Sequence, residues 1–373
     1  MAHTGFCDSR TLLDRDPTAE DMTLLPLRTW ASACPPKERW GNCFGPVETF
    51  LTAEKHCTWV DWLSNGPVHQ HLAGFTVPSA ITSSVSSHML MPGLLKHELE
   101  VAMVSLGVIH DRTYAWDIFK DMLWTQRQHT FPSAELPKPY SGKMLAILID
   151  WLIQVHAVLD FAEETLHLTV FLLNRAVRLL KVPVCSLQLL GVVCLFLASK
   201  KEECLIPEVS ELCHLMENAY TKGQLLKMER KVLCILKFEL SYTSPHHFLL
   251  LLTTIARCSV KMVWMARYLL ELTLIEGECV VYQPVHLAGA AIQLARCVLQ
   301  EPPLTYIGNS IFLGSEASLL AIMKTLALAA ARAPMGNTHA TFLKYASEET
   351  MCVSKHPALI CAVGLLKLPG MQS

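Results

Sequence analysis

Two charged side chains, Lys200 and Glu229, stand where charge can recognise a partner, and neither belongs to a catalytic pattern. Lys200 follows the apolar run 182–198, where a cation meets the C-terminal dipole of a helix favourably. Glu229 lies among Lys227, Arg230 and Lys231, so pairing on a solvated helix face is its ordinary reading. Little else suggests chemistry. His69-x-His71 and His246-His247 lack the further Cys or His ligands that a metal site needs. No glycine-rich phosphate loop and no nucleophile elbow occur in the sequence. No catalytic residue, metal or cofactor is expected from these residues.

The elements that must position these residues are helices. Met144–Val155 places Met144, Ile147, Leu148 and Trp151 at i, i+3, i+4 and i+7 on one face. Leu145, Ile149, Leu152 and Ile153 fill much of the rest of the cylinder. One apolar stripe suffices for a surface helix, so the second must enter a large core or meet a partner.

Hydrophobic residues make up 51% of the 373 and charged residues 17%, which predicts large buried cores. A formal charge of −2 gives no electrostatic case for nucleic acid or an anionic membrane. The N-terminus lacks the build of a secretory signal. The 14 cysteines form no C-x-x-C pair, and several sit in apolar helical patterns, as in a reducing interior. The sequence thus predicts a protein of the reducing interior of a cell, not secreted and not in a membrane. The run 182–198 reaches only the lower edge of a membrane span and reads better as a buried central helix.

Residues 1–112 are rich in proline, serine, threonine and isolated tryptophans, and are expected to be largely disordered apart from a possible short helix near 94–106. Tyr114–Gln128 reads as one amphipathic helix. Five helices follow over 142–159, 163–180, 183–200, 207–217 and 222–237. Five more cover 244–256, 260–276, 284–299, 315–333 and 337–347. Thr221-Lys-Gly-Gln224 has capping-box spacing, and Ser244-Pro245 reads as a cap followed by a helix-starting proline. The segment 187–198 aligns with 285–296, placing Gly191 and Gly289 inside long apolar helices. Such glycines predict close approach of another backbone. The fold class is all-α, with two tandem five-helix units.

Met144-Leu-Ala-Ile-Leu-Ile-Asp-Trp-Leu, Leu187-Gln-Leu-Leu-Gly, Leu197-Ala-Ser-Lys-Lys-Glu-Glu203, Tyr220-Thr-Lys and Met228-Glu-Arg-Lys-Val-Leu233 occur in that order. Together they resemble the successive signatures of the cyclin box, with the A- and B-type mitotic cyclins most similar. Lys344-Tyr-Ala-Ser and Ser354-Lys-His resemble the end of the second box. The resemblance implies an N-terminal box with its preceding helix over 113–240, a second box over 241–360 and a tail over 361–373. It implies a non-enzymatic subunit that binds and activates a cyclin-dependent protein kinase in cell-cycle control.

In the family, residues matching Lys200 and Glu229 grip the kinase near its C helix, and Lys201 and Glu203 belong to the same implied contact. Activation then follows from selective affinity for the active kinase conformation. Positions matching Met144, Ile147, Leu148, Trp151 and Gln154, with Gln188, imply an exposed apolar patch that docks substrates or inhibitors carrying a short basic-x-leucine motif. Leu145, Ile149 and Leu152 would then face the core. The alternative from another class is a cyclin-fold scaffold that binds a non-kinase partner without activating a kinase. Arg10-Thr-Leu-Leu13 fits a loose degradation pattern that arises often by chance.

Three positions depart from the pattern. Mitotic cyclins carry arginine at the position of Leu145 and aspartate at that of Asn174, a buried ion pair lost here as a pair. Lys201 stands where relatives place an interface aromatic, which removes a hot-spot contact.

Overall fold

The computed structural model describes residues 93–301, 316–336 and 338–360, and among them every regular element is a helix. The extension 1–92, with Arg10–Leu13, His69 and His71, and the tail 361–373 lie outside the described residues. Helices α1 (Gly93–Ser105) and α2 (Ala115–Gln128) precede a first bundle. That bundle comprises α3 (Gly142–Leu159), α4 (Glu163–Leu179), α5 (Leu187–Glu202), α6 (Val209–Leu215) and α7 (Lys222–Ile235). A second comprises α8 (Pro245–Ile255), α9 (Val260–Ile275), α10 (Pro284–Leu299), α11 (Glu316–Arg332) and α12 (Ala340–Lys344), and a short α13 (Pro357–Ile360) follows.

Local signals set the helix starts. The Ser141 hydroxyl accepts from the Met144 amide at the head of α3. Thr221 and Gln224 form the expected capping box, and the Ser244 hydroxyl accepts from the His246 amide ahead of Pro245.

Each bundle is organised around its third helix. α5 packs on α3, α4 and α7, while α10 packs on α8, α9 and α11. Every residue from Leu187 to Ser199 is buried. The spans 142–159 and 184–202 are long and apolar enough to cross a membrane, and both contribute largely buried residues to the first core. Gly191 is closely approached, but by side chains and not by the backbone its position predicted. A Cβ there would lie 3.2 Å from Leu148 Cδ1 and 3.2 Å from Leu152 Cδ1.

α3 is shared by both bundles. It packs against α5 on one side and against α9 and α12 of the second bundle on another. Asp150 of α3 accepts from the Ala340 amide at 2.8 Å, satisfying an open N–H at the start of α12. Nearby, Lys344 Nζ lies 2.8 Å from Glu163 Oε1 of α4 and 2.6 Å from Glu271 Oε2 of α9. Burial works to raise both carboxyls. Lys344, His156 and His246 nonetheless hold Glu163 well below the usual carboxylate range, while burial leaves Glu271 raised.

Glu164 takes His246 Nδ1 at 2.9 Å, tying α4 to α8. Glu164 too is held well below the ordinary range: burial opposes this, and the charge and hydrogen bond of His246 prevail. The His pair at 246–247 is therefore engaged by a carboxylate that joins the bundles.

The short helix expected near 94–106 is present as α1. α1 packs on α2 and α8, and Leu99, Ala102, Met103 and Phe119 share one core with Phe248 and Met262 of the second bundle. Gln126 of α2 accepts from the Val285 amide at 3.0 Å, capping α10.

Candidate functional site

The charged pair singled out from the sequence forms across two helices. Lys200 Nζ, at the C-terminal end of α5, lies 2.5 Å from Glu229 Oε1 of α7. Its ammonium also sits 4.1 Å from the centroid of the Phe196 ring, a cation–π contact that holds the stem upright. The lysine side chain is 40% exposed and the glutamate 9%, so the pair presents its positive end to solvent. Glu229 is thus not spent on Lys227, Arg230 or Lys231, the local partners its own helix offered.

The other two residues of this set have local roles. Lys201 Nζ binds its neighbour Glu202, so the charge that replaces an aromatic is already partly met. Glu203 turns inward, where its Oε1 accepts from the Ala162 amide at 2.7 Å and the Thr165 hydroxyl at 2.5 Å. It caps α4 from the end of α5, a carboxylate at a helix N-terminus. Sequence spacing could not show this partner, because 41 residues separate it from Ala162.

Exposed apolar residues flank the pair and were missed in the sequence. Leu205 is 63% exposed and Ile206 47% exposed in the segment after α5. Leu226 is exposed one helical turn before Glu229. Two exposed aliphatic residues running into Pro207 were the available signal. They read instead as a loop leading into the next helix.

The expected docking patch needs correction. Met144 and Leu148 are fully buried, Trp151 is 5% exposed and Gln188 7%. Ile147 is half-buried and Gln154 exposed. Leu148 belongs with Leu152 against Gly191, not on an outer face. Leu145 and Ile149 instead line a cavity between the bundles. The second apolar stripe of α3 is covered by the chain's own second bundle, which removes the reason to leave it open. The side-chain amide nitrogen of Gln188 is buried with no hydrogen-bond partner among the described residues.

The two departures from the family pattern face one place. Leu145 and Asn174 both line the cavity, and the Asn174 carboxamide takes Arg178 Nη1 at 2.9 Å. An arginine is therefore present after all, one turn along α4 and without a carboxylate.

Comparison with known proteins agrees with this architecture. The family model described as "Cyclin, N-terminal domain" matches residues 117–241, and "Cyclin, C-terminal domain" matches 243–359. A G2/mitotic-specific cyclin-B2 of Oryzias luzonensis is 36% identical over 219 residues, covering 58% of this chain and 57% of that protein. The cyclin-B2 of Bos taurus is 35% identical over 222 residues, covering 59% and 56%. A cyclin-B of Spisula solidissima is 36% identical over 219 residues, covering 59% and 51%. The chain thus spans a little over half the length of these relatives. A viral cyclin from herpesvirus saimiri aligns with a TM-score of 0.43 at 15% identity, over 66% of this chain and 99% of that one. With both halves of the box pair matched in tandem over the two helical bundles, the chain belongs to the cyclin family, its relatives here being of the B type.

Proposed function

We propose that this protein is the regulatory subunit of a cyclin-dependent Ser/Thr kinase and that Lys200 and Glu229 hold the kinase near its C helix. The observation that carries the reading is the cross-helix pair at 2.5 Å, set upright on Phe196 and beside exposed Leu205, Ile206 and Leu226. A charged anchor with exposed apolar residues close by in the chain is the make-up of a binding hot spot. Family membership supports a kinase-regulatory role in general. Binding that favours the active kinase conformation activates without any catalytic residue in the cyclin. Free thiols at every described cysteine suit work in the nucleus or cytoplasm.

Substrate or inhibitor docking on α3 is the finer part of the proposal. Of the expected set only Ile147 and Gln154 reach the surface, so docking there rests on these two, with Met144, Leu148, Trp151 and Gln188 buried in the core. A short segment with a basic residue and a leucine is the expected occupant.

The test is co-purification of the kinase with the full chain against Lys200→Ala and Glu229→Ala, with thermal unfolding followed in parallel. Glu229 is largely buried, so Lys200→Ala strands its carboxylate and should cost more stability than Glu229→Ala, whose remaining lysine reaches solvent. The melts show which variants stay folded. Kinase affinity should fall at least about tenfold, as truncating one member of an interface charge pair costs about 2–5 kcal/mol. An unchanged kinase complement in both variants would overturn the assignment. Absence of any kinase from the wild-type preparation would instead favour the scaffold reading.

A further inference from the structure

We propose that the cavity between the two boxes is a binding site for a small aromatic carboxylate, held by Arg178. The cavity measures about 300 Å³, at the lower end of the range for small-molecule sites. Its walls come from both boxes. Leu145 and Ile149 of α3 and Phe171 of α4 form one side, Phe131 of the α2–α3 connector another, and Cys279 and Tyr282 of the second box a third.

Among the described residues Arg178 is the only Lys or Arg side chain on that wall. Its guanidinium is only partly committed. Nη1 donates to the Asn174 carbonyl and carboxamide oxygens at 2.9 Å each, and Nη2 reaches the Ala134 carbonyl at 3.4 Å. No partner of Nε is present among the described residues, and no carboxylate lies within ion-pair distance. Half-burial pulls its pKa down with no opposing carboxylate, the signature of a charge left without a counterion. Glu276, which also lines the cavity, is held at 2.9 Å by Arg332, and Glu135 points from an exposed position.

A carboxylate can take the unused Nε edge of the fork, and a single cation suits a monoanion. The aromatic body follows from the walls. Phe131 stands edge-on to Phe171 at 6.0 Å, and the guanidinium already lies 4.7 Å from the Phe131 centroid. The site arises where Leu145 and Asn174 leave Arg178 uncompensated, so it belongs to this chain and does not depend on kinase binding.

2-Naphthoate is a suitable probe, with neutral 2-naphthalenemethanol as control, titrated into the full chain by calorimetry and methyl NMR. Saturable 2-naphthoate binding should shift the Leu136, Leu145 and Ile149 methyl signals, and the alcohol should bind at least about tenfold more weakly. Arg178→Met should weaken binding by a similar factor. If Arg178→Met fails to fold, the methyl shifts of the wild type and the alcohol control still decide. No saturable binding would overturn the proposal, as would shifts away from these methyls or equal affinity for acid and alcohol.

Discussion

Leu145 sits 5% exposed on the wall of the cavity that Asn174 and Arg178 also line, where the two carboxylates are Glu276, already paired with Arg332, and the exposed Glu135. Leu145→Arg is expected to destabilise the protein by about 3–5 kcal/mol, the cost of an uncompensated buried charge. Adding Asn174→Asp should recover much of that loss, whereas Leu145→Met should cost under about 1.5 kcal/mol. Thermal melts of the three variants decide it, and an unchanged midpoint for Leu145→Arg would refute the account. At this scale the sequence was unevenly legible. Lys200 and Glu229 could be picked out because an ordered set of motifs placed them, and the structure brings them together. The burial of Met144, Leu148 and Trp151 could not be read, since periodicity says which residues share a face and not what covers it.

Among the elements, helix starts were the most readable features, because caps such as Thr221 with Gln224 and Ser244 before Pro245 act over two or three residues. Long-range caps were invisible. Gln126 reaches the start of α10, Asp150 that of α12 and Glu203 that of α4, at separations that no local pattern encodes. Glu203 therefore has a folding role that confounds any binding assay. Glu203→Ala should lower stability by about 1–3 kcal/mol by leaving the Ala162 amide and Thr165 hydroxyl unmatched. Glu203→Gln keeps an acceptor oxygen and should lose less. If the alanine variant melts like the wild type, the capping role is wrong and a purely intermolecular role gains ground.

Across the whole molecule, titratable groups concentrate where the two boxes meet, and this gives the fold an acid limit. Burial pushes His156 down to about 4 and His167 down to about 3, from an ordinary value near 6.5. Between those limits the unfolded chain binds protons that the folded one refuses, so stability falls as pH drops below about 6.5. His156 alone accounts for about 3 kcal/mol by pH 4. Glu163 and Glu164, held low in the fold, add a further loss below about 4.5, as the unfolded carboxyls take up protons first. Urea melts from pH 7.5 to 4.5 should show this decline, and a flat profile would contradict the buried neutral imidazoles. The sharing of α3 between the boxes has one more consequence. Its two faces cannot be separated without exposing apolar area on both sides, so the tandem repeat is expected to melt as one cooperative unit. Calorimetry should record a single heat-absorption peak whose measured and van't Hoff enthalpies agree, and two resolved peaks would mean that each box can come apart alone.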